Sequence, residues 1–392
     1  MHYTKIALLW PLVLVLITSG CSKNDLHAQA FNKHESIPAE AISFASADYK
    51  ITQPLSGPLQ DSLDAAIHRL FPVTKMPGIT AAMLIPGKGL WQNTTGFLSN
   101  SNKQKADSTS VFYWASVTKM ITATIIDELV QDSKLSYDDK LAKWFPQFEH
   151  AREISIGQLL HHTSGLASFN TDTTIFKREK HYTAEDLIDI ALQQKNLFPP
   201  GKYWSYSNTG YLLLAMIIQQ VDKRSYAEAV AQRFAVPLHL SSLKVLTQAK
   251  MPANLAKGHT ADGLPVNEDY SVPLGTGDIA ANAKDMAVFL FALLNGSIIP
   301  KTTVAARLQN LYPMPDKGIF YGQGIMVTDF EGINGQQDQW IGHTGGTETY
   351  RALLIFDVKT KIFLAVSVNA HIPVEAISRK LISIAAQQHE NN

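Results

Sequence analysis

Apolar positions along the chain follow two periods, and the switch between them divides the chain into regions. Over 59–70, Leu59, Leu63, Ala66, Ile67 and Leu70 recur every three or four places, which predicts a helix with one buried face. Segments 78–85 and 90–97 are short, apolar and partly β-branched, and they flank Pro86-Gly87-Lys88-Gly89, so they predict two strands about a turn. Strand-like segments return only near the far end, at 319–329, 339–344, 350–357 and 362–369, where 358–361 joins the last pair as a hairpin. A helix over 374–387 closes the chain, and the interval between the two strand groups is mostly helical, clearest at 120–130, 184–193, 211–221 and 283–294. Strands from both ends around a helical middle predict an α+β fold. One antiparallel sheet, flanked by helices, is built from about 56–110 and 300–392, and an inserted helical lobe occupies about 111–299. A groove between two such lobes is where ligand sites concentrate. No internal repeat or low-complexity block interrupts this plan.

Composition adds limits rather than a function. Lys plus Arg number 34 and Asp plus Glu 34, so the formal net charge is zero and nothing points to nucleic acid as a partner. Charged residues are 17% of the chain, below the usual share of about 25%. A domain of this length buries a large core without disulfide or metal. The one cysteine, Cys21, excludes an intramolecular disulfide.

The position of Cys21 carries more. A basic residue, Lys5, precedes an unbroken apolar run from Ile6 to Ile17, too short to cross a bilayer comfortably but suited to the core of a signal peptide. Thr18-Ser19-Gly20-Cys21 then resembles the lipobox of bacterial lipoproteins, although Thr18 departs from the usual leucine. That resemblance implies a signal peptide over 1–20, lipidation of Cys21, a tether over 21–55 and a location at the periplasm-facing membrane of a bacterial envelope. Cleavage after Ala28-Gln29-Ala30 is the alternative, and it would give a secreted protein.

Candidate chemistry centres on Ser116-Val117-Thr118-Lys119, which opens an apolar helix. Residues three apart share a helix face, so Lys119 can reach the Ser116 hydroxyl, and the helix N-terminus favours a developing oxyanion. A serine hydroxyl needs a base to take its proton, and lysine serves only when burial or nearby cations lower its pKa. Spacing alone does not single this pair out, because Ser241 and Lys244 match it equally. Two further motifs do: Tyr206-Ser207-Asn208, and His343-Thr344-Gly345 at the end of a predicted strand.

S-x-x-K with S-D-N and K-T-G is the signature of class A β-lactamases and penicillin-binding proteins. The Tyr-x-Asn variant resembles the class C β-lactamase branch, with its D,D-carboxypeptidase, D-aminopeptidase and esterase relatives. Phe112-Tyr113-Trp114-Ala115, Leu159-Leu160-His161-His162-Thr163-Ser164-Gly165-Leu166, Pro200-Gly201, Thr209-Gly210-Tyr211, Gly277-Asp278-Ile279-Ala280 and Tyr321-Gly322-Gln323-Gly324 stand in that family's order, from about residue 57 to the end. The resemblance implies a β-lactamase/transpeptidase-like fold and an acyl-enzyme on Ser116. Lys119 and Tyr206 would share the proton traffic, His343 would complete the catalytic set, and Asn208 would bind the substrate amide. Thr344 and Gly346 would line the substrate site, the backbone N–H groups of Ser116 and Gly346 forming an oxyanion hole. It implies no cofactor and no metal, and a small molecule or peptide as substrate.

His343 stands where K-T-G enzymes carry a permanent cation, so carboxylate recognition is expected to be weaker or pH-dependent. Arg351 is near enough in sequence to supply a substitute, or is an ordinary strand arginine. Phe169 lies near the place of a substrate-binding glutamine in class C enzymes. His161 and His162 lack a metal motif around them, Gly275-Thr276-Gly277 reads as a plain turn, and no G-x-S-x-G occurs. The expected function is therefore a serine hydrolase for D-amino-acid peptides or small esters. The alternatives are a β-lactamase proper, or a sensor that acylates slowly without turnover.

Overall fold

In a computed structural model, residues 29–30, 49–172, 175, 181–247, 251–266 and 274–390 are described. The main sheet runs through nine strands among these, numbered here in chain order. They are β1 (Gly78–Ile85), β2 (Gly89–Ser99), β3 (Gln104–Lys105), β4 (Tyr312–Pro313), β5 (Ile319–Tyr321), β6 (Met326–Asp329), β7 (Gln339–Gly346), β8 (Arg351–Asp357) and β9 (Phe363–Val368). Their spatial order is β3-β2-β1-β9-β8-β7-β6-β5-β4, all antiparallel. The chain's two ends meet where β9 pairs with β1, Ala365 opposite Ala82. One sheet is thus assembled from both termini.

Alternation decides what each face of this sheet packs against. Ile79, Ala81, Met83 and Ile85 join Leu364, Val366 and Val368 on one face. They lie beneath helices α1 (Pro58–Thr74) and α7 (Val374–Glu390). Ala82, Leu84, Leu354, Phe356, Phe363 and Ala365 face the other way, into the larger core. Because both faces are covered, β1 is buried along its whole length, which is why its sequence is apolar but for Thr80 rather than alternating. Each large side chain buried here contributes roughly 1.5–3 kcal/mol.

The larger core is filled by α2 (Thr118–Gln131), α3 (Ile156–Leu160), α4 (Ala184–Leu192), α5 (Asn208–Asp222) and α6 (Ala283–Leu294). Two boundaries differ from the sequence reading. Helix α6 packs directly on β1 and β9, so it covers the sheet instead of belonging to a separate helical lobe. The segment 319–329 is not one strand but the hairpin β5–β6, because the backbone turns back at Gly322-Gln323-Gly324. Gly324 sits at φ +63°, a conformation that favours glycine.

Residues 49–55, read as part of a tether, dock on the domain. The Tyr49 hydroxyl donates to the Lys361 carbonyl, and Leu55 and Gln53 exchange backbone hydrogen bonds with Leu90. Gln29–Ala30 pairs with Tyr203–Trp204. Cys21, with the signal-peptide and lipidation readings attached to it, lies outside the described residues. None of the described helices is long and apolar enough to cross a membrane.

Candidate active site

Ser116 lies at the junction of three elements. Strand Phe112–Tyr113 pairs with Ile279–Ala281 and delivers the chain to Trp114. Trp114 is fully buried, its backbone N–H bonded to Ile279 O at 2.9 Å and its indole N–H to Ala281 O at 3.0 Å. Ala115 then adopts φ +44°, which costs a non-glycine residue about 1–2 kcal/mol and persists because its neighbours are fixed. Ser116 occupies the 3₁₀ turn Ala115–Val117 that leads into α2, so it precedes the helix rather than opening it.

Lys119, in the first turn of α2, is fully buried. Its Nζ lies 3.1 Å from Ser116 Oγ and donates to Thr276 O at 2.7 Å. The rings of Tyr206 and Tyr211 lie beside it, with centroids 4.9 and 5.6 Å away. Burial pushes the amine well below its ordinary pKa, and the Asp278 carboxylate opposes this. A neutral amine has a lone pair, so the pair has the geometry and electronics for proton transfer from serine to lysine.

Tyr206 and Asn208 are held by the loop after α3. A capping box, Ser155 with Gln158, starts α3, and the chain leaves it through His162 at φ +60° and Gly165 at φ +79°. A Cβ on Gly165 would lie 2.0 Å from Phe198 O, so only glycine fits there. The loop then grips the tyrosine segment. His162 Nδ1 accepts from Ser207 N–H at 3.1 Å, Ser168 Oγ accepts from Asn208 N–H at 2.8 Å, and Thr209 Oγ1 donates to Ala167 O at 2.7 Å. His162 also stacks on Tyr206, their ring centroids 4.3 Å apart.

Held this way, the Tyr206 hydroxyl and Asn208 Oδ1 are buried, and among the described residues only Ser116 is within hydrogen-bonding reach of that hydroxyl. Ser116 is close enough to favour the ionised form of Tyr206 slightly, against a larger upward push from burial. Unpaired polar atoms are rare in interiors.

Strand β7 forms the opposite wall. A Cβ on Gly345 would lie 2.2 Å from Trp114 O and 3.1 Å from Ser116 N, so the glycine of the His343-Thr344-Gly345 motif lets the strand lie against the Ser116 backbone. Side chains alternate along a strand, so His343 shares the inward direction of Gly345, while Thr344 and Gly346 face the other way. Thr344 is half-buried and Gly346 exposed. His343, expected to complete the catalytic set, is on the inward side and within electrostatic reach of Lys119. Its imidazole is buried, with Nδ1 2.5 Å from Thr344 O and Nε2 3.3 Å from the Tyr321 hydroxyl, and it makes no hydrogen bond to Ser116 or Lys119. Burial, aided by Lys119, pushes it down to about 3, so it stays neutral.

Arg351 sits opposite Gly346 and lays its side chain over that glycine. Its Nη2 lies 2.8 Å from His371 Nε2. Of the remaining candidates, Phe169 is buried in the core. Ser241 and Lys244 are exposed and carry no helical S-x-x-K geometry. No group of His, Cys, Asp and Glu that could hold a metal occurs among the described residues.

Two features were missed by sequence reasoning. The glycine-rich turn at 275–277 is not plain, since its carbonyls hold Lys119 and Thr122. A buried pair, Asp127 with Arg307 at 2.7 Å, ties α2 to the segment before β4, and Gln323 of the β5–β6 turn bonds to the same carboxylate. The sequence signal for the turn was the neighbouring Gly277-Asp278-Ile279-Ala280 segment, and for the pair a charge within an apolar stretch.

Comparison with known proteins agrees with this fold. The family model described as Beta-lactamase matches residues 63–387. Penicillin-binding protein 4* of Bacillus subtilis is 26% identical over 308 residues, covering 71% of this chain and 66% of its own length. Penicillin-binding protein 4 of Amycolatopsis lactamdurans is 26% identical over 298 residues, covering 70% and 77%. The D-amino acid amidase from Ochrobactrum anthropi, solved with L-phenylalanine amide, superposes with a TM-score of 0.72 at 25% identity, over 85% of this chain and 97% of that one. A penicillin-binding protein from Bacillus halodurans shares the fold, with a TM-score of 0.71 at 21% identity over 81% of this chain and 99% of its own.

Proposed function

The chain belongs to the β-lactamase family of serine hydrolases, and from that membership we propose that it cleaves amides or esters of small substrates, D-amino-acid peptides among them, through an acyl-Ser116 intermediate. The observation that carries this is Lys119: fully buried, held below its usual charge, and 3.1 Å from the Ser116 hydroxyl.

The neutral amine takes the Ser116 proton as Oγ attacks the carbonyl carbon. Backbone N–H groups of Ser116 and Gly346 receive the oxyanion, each such donor contributing on the order of 10²–10³ in rate. Collapse breaks the bond to the leaving amine or alkoxide, which takes a proton from the Tyr206 hydroxyl. Burial keeps that hydroxyl protonated, which suits it to the acid role while Lys119 acts as base. Lys119 then returns its proton to Tyr206. Water attacks the ester, and Ser116 Oγ leaves with a proton. Asn208 Oδ1 accepts from an amide N–H on the acyl side.

Substrate class follows from what lies beside the serine. A buried neutral His343 offers no permanent cation, which favours an amidase, carboxypeptidase or esterase over a β-lactamase proper. Arg351, over Gly346, is the cation placed to meet a carboxylate at the exposed end of β7. The likeness to a D-amino acid amidase supports the same direction.

A hydrolysis panel tests this: a D-alanyl-D-alanine peptide, an N-terminal D-amino-acid amide, nitrocefin and p-nitrophenyl acetate. Turnover of amide or ester, with nitrocefin slow, is expected. Ser116→Ala should lose on the order of 10⁴-fold or more. Retained activity in that variant refutes the nucleophile, and labelling by a fluorescent penicillin with no turnover of any substrate assigns the sensor reading instead.

A further inference from the structure

Three hydrogen bonds fasten the turn before Ile279–Ala281 to the start of α2. Thr276 O accepts from Lys119 Nζ at 2.7 Å, Gly275 O from the Thr122 hydroxyl at 2.6 Å, and Thr118 Oγ1 from Ile279 N–H at 3.1 Å. Asp278 shapes this turn from within, its Oδ2 accepting from Gly275 N–H at 3.0 Å. Gly275 sits at φ +61°, and a Cβ there would lie 2.3 Å from the Ala215 side chain, so the turn is pressed against α5 with no room to move.

Asp278 is 1% exposed, and its other oxygen, Oδ1, is buried with no hydrogen-bond partner among the described residues. A carboxylate kept half-satisfied in a dry interior costs stability. The titratable groups that face it are Lys119 on α2 and Tyr226 on the helix Tyr226–Val230, whose hydroxyl is 2.6 Å from Thr122 Oγ1. Lys119 in turn faces Tyr206, Tyr211, His162 and His343, and burial keeps all four uncharged near neutral pH. Asp278 is therefore the negative charge that acts on the lysine.

We propose that Asp278 is a positioning residue for the Ser116–Lys119 pair: its carboxylate holds the turn that presents the lysine amine to the serine, and its charge stabilises the ammonium formed when that amine takes the serine proton. This rests on the reading of Lys119 as base. The charge acts in both directions. Ionised Asp278 lowers the fraction of neutral Lys119 at rest and lowers the energy of the proton-transfer state. Burial pushes Asp278 up to about 7 and Lys119 opposes that rise, so the charge on each group depends on the other.

Asp278→Asn separates charge from shape, since the side-chain amide oxygen can still accept from Gly275 N–H. Without the charge Lys119 loses its proton more readily. The acidic limb of kcat/KM for p-nitrophenyl acetate should therefore move to lower pH, by about one unit for an opposite charge at close range, and the plateau of kcat should fall. Asp278→Ala, which loses shape as well, should be slower at every pH. An unmoved limb in folded Asp278→Asn, with activity merely scaled down, overturns the proposal and leaves only a structural role.

If Asp278→Asn does not fold, infrared titration of buried carboxyl groups replaces it. Loss of the cation in Lys119→Met should move a buried carboxyl titration to higher pH, by the reciprocity of coupled sites. No such movement overturns the proposal. Lys119→Met also protects the argument underneath, because retained turnover there strikes the base reading, not Asp278.

Discussion

Gly345→Ala tests the closest backbone approach in the site. The added Cβ would stand 2.2 Å from Trp114 O and 3.1 Å from Ser116 N. Neither atom can yield, since Trp114 is fully buried and bonded to Ile279 and Ala281 on its other side. Strand β7 has to retreat instead, by about 1 Å, and a misplacement of that size costs about 10²-fold in rate. Gly346 moves with it, which weakens one oxyanion donor, worth on the order of 10²–10³ in kcat. The expected loss in kcat is thus about 10²–10³, with KM for a small ester changed far less. Steady-state hydrolysis of p-nitrophenyl acetate measures it, with thermal unfolding to establish that the variant is folded. Gly335→Ala is the control: it too has positive φ, +78°, but nothing lies within 4 Å of its new Cβ. It should cost about 1 kcal/mol of stability and leave kcat alone. A folded Gly345→Ala enzyme within about threefold of the parent kcat would refute the placement of Gly346 at the reacting carbonyl.

Two further outcomes concern the groups around the site. Arg307 and Asp127 are both fully buried, and Arg307→Ala leaves a buried carboxylate without its cation, so urea unfolding should register a loss of about 3–5 kcal/mol; a loss under about 1 kcal/mol contradicts the pairing. His343 stays neutral down to about pH 3 when folded but binds a proton near pH 6.5 when unfolded. Between those values the unfolded state holds more protons, so stability falls as pH is lowered through that window. His343→Gln should remove about 2 kcal/mol of the loss between pH 7 and pH 5, read from denaturant midpoints, and an unchanged acid sensitivity counts against a buried neutral imidazole.

The sequence by itself determined the elements and their allegiance. Strand and helix periods are local properties, so the paired segments 78–85 and 90–97, the far-end strands and the helices of the middle are visible without any fold, and so is a single sheet drawn from both ends. The company of Tyr206, Asn208 and His343 raised Ser116 above Ser241, because motifs in order are a one-dimensional signal. Tertiary structure decided everything that depends on direction and distance. The parity of β7 sends His343 inward and leaves Thr344 and Gly346 on the other side, which no motif states. The turn at 275–277 looked ordinary because its partners, Lys119 and Thr122, lie far away in the chain. What Asp278, Asp127 and Arg307 do was not legible, since whether a charge is solvated, paired or buried is a property of what surrounds it. Burial beside Ser116 is made by folding, and it lowers the pKa of a lysine that would be charged in water.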